Sequence, residues 1–65
     1  MESFYIKQRV SKFVLIYHRI TKEGNITALS CSRRSISNPK TVMIGKTFEV
    51  ISKEEFDKKY NEFAT

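Results

Sequence analysis

The sequence predicts a small α+β fold: an antiparallel sheet of four to five short strands, with one C-terminal amphipathic helix packed on one face. Three observations lead there. The first half of the chain alternates apolar and polar residues at the period of a strand. Gly24-Asn25 and Asn38-Pro39 interrupt it with residue pairs that favour turns. From Ile51 onward the apolar spacing changes to that of a helix.

The first strand is expected in SFYIKQRV, residues 3–10, with Phe4, Ile6 and Val10 on one face and Tyr5, Lys7 and Arg9 on the other. The second, KFVLIYHRI (12–20), puts Phe13, Leu15 and Tyr17 opposite Val14, Ile16, His18 and Ile20. Both of its faces are apolar, as in a strand covered on two sides. TKEGN forms a turn, and ITALSCS (26–32) a third strand. The stretch SCSRRSISNPK, residues 30–40, is expected as a polar loop that Asn38-Pro39 closes. TVMI (41–44) and TFEVI (47–51) are expected as the fourth and fifth strands, broken at Gly45-Lys46. The turn spacing makes hairpins of strands two and three, and of four and five.

The helix is the clearest element. Ser52 is an N-cap, and Glu55 three residues later completes a capping box. Ile51 and Phe56 are spaced as a hydrophobic staple. Glu54 and Glu55 lie in the first turn, where the helix dipole favours acids. Glu54–Lys58 and Glu55–Lys59 are i,i+4 pairs in the favourable order. Phe56, Tyr60 and Phe63 form one aromatic stripe, which belongs in a core. One such helix covers only one face of the sheet. The residues near Val14 and Ile16 then need a curled, barrel-like sheet or a second copy of the chain.

Sixty-five residues make a single domain, 1–65. A chain of this length is marginally stable unless disulfides, metals or self-association help. Cys31 and His18 are the only cysteine and histidine, so neither an internal disulfide nor a Cys/His zinc site can form. Self-association remains, and a homodimer is expected. One free thiol suits a reducing, cytoplasmic compartment. Residues 1–10 lack the regions of a secretory signal, and no apolar run reaches membrane-spanning length.

Chemistry has little to work with. His18 and Cys31 read as packing residues on strands, and two glycines cannot build a phosphate-cradling loop. No enzyme, cofactor or metal is expected. The net charge of +5 is uneven: residues 1–50 hold nine Lys/Arg against three acids, and residues 51–65 hold three lysines against four acids. Such asymmetry suggests an anionic partner. Tyr5, Lys7 and Arg9 alternate on one strand face. Tyr17 and Arg19 repeat the order, with Lys12 nearby, and Arg33, Arg34 and Lys40 lie in the polar stretch. Basic side chains beside aromatic rings suit single-stranded nucleic acid or RNA. These nine residues are the expected binding set, and Arg33 and Arg34 are expected to face solvent.

The function expected is a non-enzymatic protein that binds nucleic acid or a nucleic-acid-handling complex. The alternative is a protein–protein regulator, of the kind made by phages and mobile elements, that blocks an enzyme with its sheet face or edge. An acidic protein is the partner in that case.

Overall fold

The computed structural model describes residues 3–42, 45 and 47–64. It holds β1 (Phe4–Ser11), β2 (Val14–Ile20), β3 (Ile26–Ser30), β4 (Ser35–Ser37), β5 (Phe48–Val50) and α1 (Lys53–Ala64). The strands form one antiparallel sheet in the order β4-β3-β2-β1-β5, and α1 lies across one face. The α+β architecture read from the sequence is the one observed.

Alternation in β1, β2 and β3 arises as expected, and the turns between them are short. The β1–β2 connection is Lys12-Phe13, entered through a bulge between Arg9 and Ser11. Pairing shifts register there and resumes at Ser11 opposite Val14, which leaves Lys12 and Phe13 as a two-residue turn, so Phe13 is not on the face of β2. The β2–β3 turn uses Gly24 at φ 91°, a conformation that costs glycine little. Its backbone is tied by Gly24 N–H to the Thr21 carbonyl at 3.0 Å and by Thr21 N–H to the Asn25 carbonyl at 2.9 Å.

The fourth strand differs from expectation. It lies at Ser35–Ser37, inside the stretch expected as a loop, and pairs with β3. Ile36 explains this: flanked by serines, it alternates inward to pack on the core beneath α1. Pro39 has no N–H to continue the ladder, so the strand stops. Thr41 and Val42 are not in a strand, while the rest of the expected TVMI strand, at 43–44, lies outside the described residues. The observed β4 and β5 occupy opposite edges, and the hairpin expected of TVMI and TFEVI falls in part outside the described residues.

Helix α1 starts as its sequence directs. The Glu55 N–H donates to Ser52 Oγ at 3.1 Å. The Glu55 carboxylate does not complete the capping box; it accepts from Lys7 Nζ at 3.4 Å instead. The intrahelical ion pairs among the described residues are Lys53–Asp57 at 2.7 Å and Lys59–Glu62 at 3.4 Å, not the two expected. The aromatic stripe forms the core. Phe56 and Leu29 are fully buried with Tyr17, and Tyr5, Leu15, Ile51, Tyr60 and Phe63 pack around them.

On the other face, residues 39, 41 and 42 of the chain itself approach part of the sheet, and Val14 and Ile16 stay only half-buried. The connection from β4 to β5 must cross from one edge of the sheet to the other. Pro39, Thr41 and Val42 line one open cavity of about 460 Å³ with Gln8, His18 and Ala28, and the Gly45 N–H donates to Gln8 Oε1 at 2.8 Å. Ile6, Gln8, His18, Ile26 and Ala28, residues that alternate with those under the helix, are buried on this face.

His18 is 5% exposed, and its Nδ1 has no hydrogen-bond partner among the described residues. Burial holds its pKa below the ordinary 6.5, so it is neutral in the folded protein at pH 7. The unfolded chain takes up a proton near pH 6.5, which the folded chain resists. Stability is therefore expected to be level above that pH and to fall as pH drops below it, until the lowered folded value is passed. Urea unfolding at pH 7.5 and 5.5 checks this: the loss in the wild type should shrink in His18→Leu.

Candidate nucleic-acid interface

The nine residues of the expected binding set separate into two groups of four, with Lys40 apart from both. Tyr5, Lys7, Tyr17 and Arg19 share one sheet face, as alternation requires, but α1 lies on that face. Tyr17 is 5% exposed and packed with Leu29 and Phe56. The Tyr5 ring sits 5.5 Å from that of Phe56. The stacking platform expected of these two tyrosines is therefore occupied by the protein's own helix. Lys7 is held between carboxylates, 3.6 Å from Glu49 and 3.4 Å from Glu55, and these raise its pKa above the ordinary lysine value. The Arg19 guanidinium lies over the rings of Phe56 and Tyr60 and donates to Thr27 Oγ1 at 3.3 Å. A folded helix with an aromatic stripe outcompetes a nucleic-acid base for these rings, because it is tethered to them.

Arg9, Lys12, Arg33 and Arg34 come together instead at one end of the sheet. Antiparallel pairing dictates this: Ser11 lies opposite Val14, and Ser30 opposite Ile16 and Ser35. The β1–β2 turn and the β3–β4 turn, Cys31–Arg34, thus emerge side by side. Neighbouring strands are about 4.8 Å apart, so the two turns are centred roughly 10 Å from each other. All four cationic residues are exposed, as expected for Arg33 and Arg34. Among the described residues none of the four is in an ion pair with a carboxylate. Arg9 Nη1 donates to the Lys12 carbonyl at 3.2 Å, which ties the base of the turn.

Phe13 belongs to this end as well. It is 81% exposed, the most exposed large apolar residue among the described residues, and the Lys12 ammonium stands 5.7 Å from its ring. The sequence pattern placed it inside a strand; the chain reversal at Lys12-Phe13, which a period-two pattern does not mark, puts it in the turn.

Arg34 has a structural duty too. It adopts φ 51°, uncommon for a residue other than glycine, and closes the β3–β4 turn. Its guanidinium lies 5.3 Å from the Phe63 ring. No basic residue lies in the last turn of α1, so Arg34 brings the positive charge that a helix C-terminus favours. Cys31 packs against the Tyr17, Leu29 and Phe56 core, and this burial raises the pKa of its thiol, which argues for packing over reactivity.

Between the two turns, on the face opposite α1, runs an open groove of about 480 Å³. Val14 and Ile16 form its floor, and Ser30, Ser32, Ser35 and Arg33 its rim. The Ser30 and Ser32 hydroxyl oxygens are 3.4 Å apart. Hydroxyls beside a guanidinium offer donors to a phosphate oxygen. Lys40 is not part of this site. It is exposed at the opposite end, beside Gly24, Asn25 and Pro39.

Other chemistry is thinly represented. Among the described residues no three His, Cys, Asp or Glu side chains are grouped to hold a metal. No helix is long and apolar enough to cross a membrane. None of the protein-family models, curated proteins or solved structures compared with the chain matches it.

Proposed function

We propose that the protein is a non-enzymatic binder of single-stranded nucleic acid, RNA included, alone or within a complex that handles it, and that it acts by occupying its target. One observation carries this reading: the end of β1 and two adjacent turns present four exposed cationic side chains, none paired with a carboxylate among the described residues, and an exposed aromatic ring stands beside Lys12. Arg9, Lys12, Arg33 and Arg34 would meet phosphates, and a base would stack on Phe13. The basic surface favours phosphate in general. The projecting ring favours single strands, whose bases are free to stack.

Fluorescence anisotropy with a labelled single-stranded 12-mer tests it. Four phosphate contacts imply a slope of log K against log salt near −0.7 per contact, so binding should weaken about fiftyfold between 50 and 200 mM salt. Phe13→Ala should lower affinity by about 1–3 kcal/mol at an unchanged slope, since it removes stacking and no charge. No binding at 50 mM salt, or binding indifferent to salt, would sink the proposal.

A second reading has its own observation. Phe4, Val10, Phe48 and Val50 are exposed on β1 and β5, on the sheet face opposite α1. Apolar residues gathered on an edge suit a protein partner. A regulator that uses this edge would bind with little dependence on salt.

A further inference from the structure

The two edges of the sheet are unlike. β4 is short and polar, and Pro39 follows it closely. β5 carries exposed Phe48 and Val50, with no proline or lysine among its residues. Natural edges are blunted by such residues because unpaired main-chain groups recruit other strands. Glu49 is the one charge on β5, and Lys7 balances it on the helix side at 3.6 Å.

The ladder shows which groups are open. The Arg9 N–H donates to the Thr47 carbonyl at 3.2 Å, and the Ile51 N–H to the Tyr5 carbonyl at 2.9 Å. Residues 47, 49 and 51 therefore turn their main-chain groups towards β1. The alternate residues, Phe48 and Val50, direct theirs outward. An edge with outward donors and acceptors on the same residues is self-complementary under a two-fold axis.

The geometry points to β5 as a homodimer interface, in which two copies pair antiparallel about a two-fold axis at Phe48 to make one continuous sheet. Three registers align outward residues with outward residues, and the structure discriminates among them. An axis at Glu49 sets that carboxylate directly against its own copy, a destabilising arrangement. An axis at Val50 runs Phe48 against Ser52, whose carbonyl already accepts the Phe56 N–H and whose hydroxyl caps α1. An axis at Phe48 brings the two Phe48 rings together and sets each Glu49 opposite Thr47 of the other copy. This interface adjoins the basic end only at Arg9, whose main chain is hydrogen-bonded to Thr47. Antiparallel pairing would send the two basic ends in opposite directions.

A three-residue edge buries less than the roughly 800 Å² per partner of a standard interface, so association should be weak and concentration-dependent. Sedimentation of the wild-type protein from about 10 to 500 µM, without nucleic acid, should show the mass rising towards double, the micromolar range expected of so small an interface. A monomer throughout would overturn the interface. Single cysteines placed by Phe48→Cys, Glu49→Cys or Val50→Cys, each with Cys31→Ser, locate the axis under oxidised glutathione. Directly opposed residues have Cα atoms about 5.5 Å apart, within disulfide reach, whereas displaced ones exceed about 7 Å. Cross-linking should be fastest at position 48. Faster cross-linking at 49 or 50 in a variant with wild-type circular dichroism would overturn the register.

Discussion

Phe56→Ala is expected to cost about 3–5 kcal/mol, the range for truncating a buried aromatic. Phe56 is fully buried, with Tyr5 at 5.5 Å and Tyr60 at 6.3 Å between ring centroids, and its neighbours cannot easily collapse into the space. A domain of this size has on the order of 0.05–0.15 kcal/mol of stability per residue. The substitution therefore removes most or all of it, and the variant should be largely unfolded at 37 °C. Ser52→Ala offers the comparison. It removes the cap on the Glu55 N–H and should cost about 1 kcal/mol, a fall of about 4–8 °C in Tm. Thermal unfolding by circular dichroism reads both. A Tm unchanged by Phe56→Ala would mean that α1 does not hold the sheet.

Removing Arg33 and Arg34 together is expected to separate binding from folding. Arg33 is exposed, and its loss should change stability by no more than about 0.5 kcal/mol. Arg34 needs more care, since it sits at positive φ and lies over Phe63. Asparagine tolerates that conformation better than alanine. Arg33→Ala with Arg34→Asn should thus remain folded with a modestly lowered Tm. Charge-assisted hydrogen bonds contribute about 1.5–3 kcal/mol each, so affinity for a single-stranded 12-mer should fall at least tenfold. The salt slope should flatten by about 0.7 for each arginine. Unaltered affinity and slope would return the β3–β4 turn to a plain connection between strands.

Lys7 and Arg19 show why the binding surface was hard to read. Alternation puts them on one face with Tyr5 and Tyr17, and a basic, aromatic face resembles a nucleic-acid platform. The structure covers that face with a helix, because each cation has an internal answer. Glu49 and Glu55 flank Lys7, and the rings of Phe56 and Tyr60 lie under Arg19. Glu55, Phe56 and Tyr60 are remote in sequence from the strands they meet, so no local pattern reveals the match. Long basic side chains can lie along apolar surface while their charged ends find partners.

What the sequence determined by itself was local. The start of α1, its aromatic stripe, the three long strands and the turn at Gly24 all follow from signals within a few residues of one another. Cap, staple and period act at short range, so they survive without knowledge of the fold. The tertiary structure alone decided which sheet face the helix took, and that Pro39, Thr41, Val42 and Gly45 would approach the other. It also moved the fourth strand to Ser35–Ser37 and exposed Phe13 beside Lys12. A period-two pattern defines two faces but does not say which is buried by what. That choice depends on contacts between segments distant in sequence, where burial of Phe56, Leu29 and Tyr17 together outweighs any local preference.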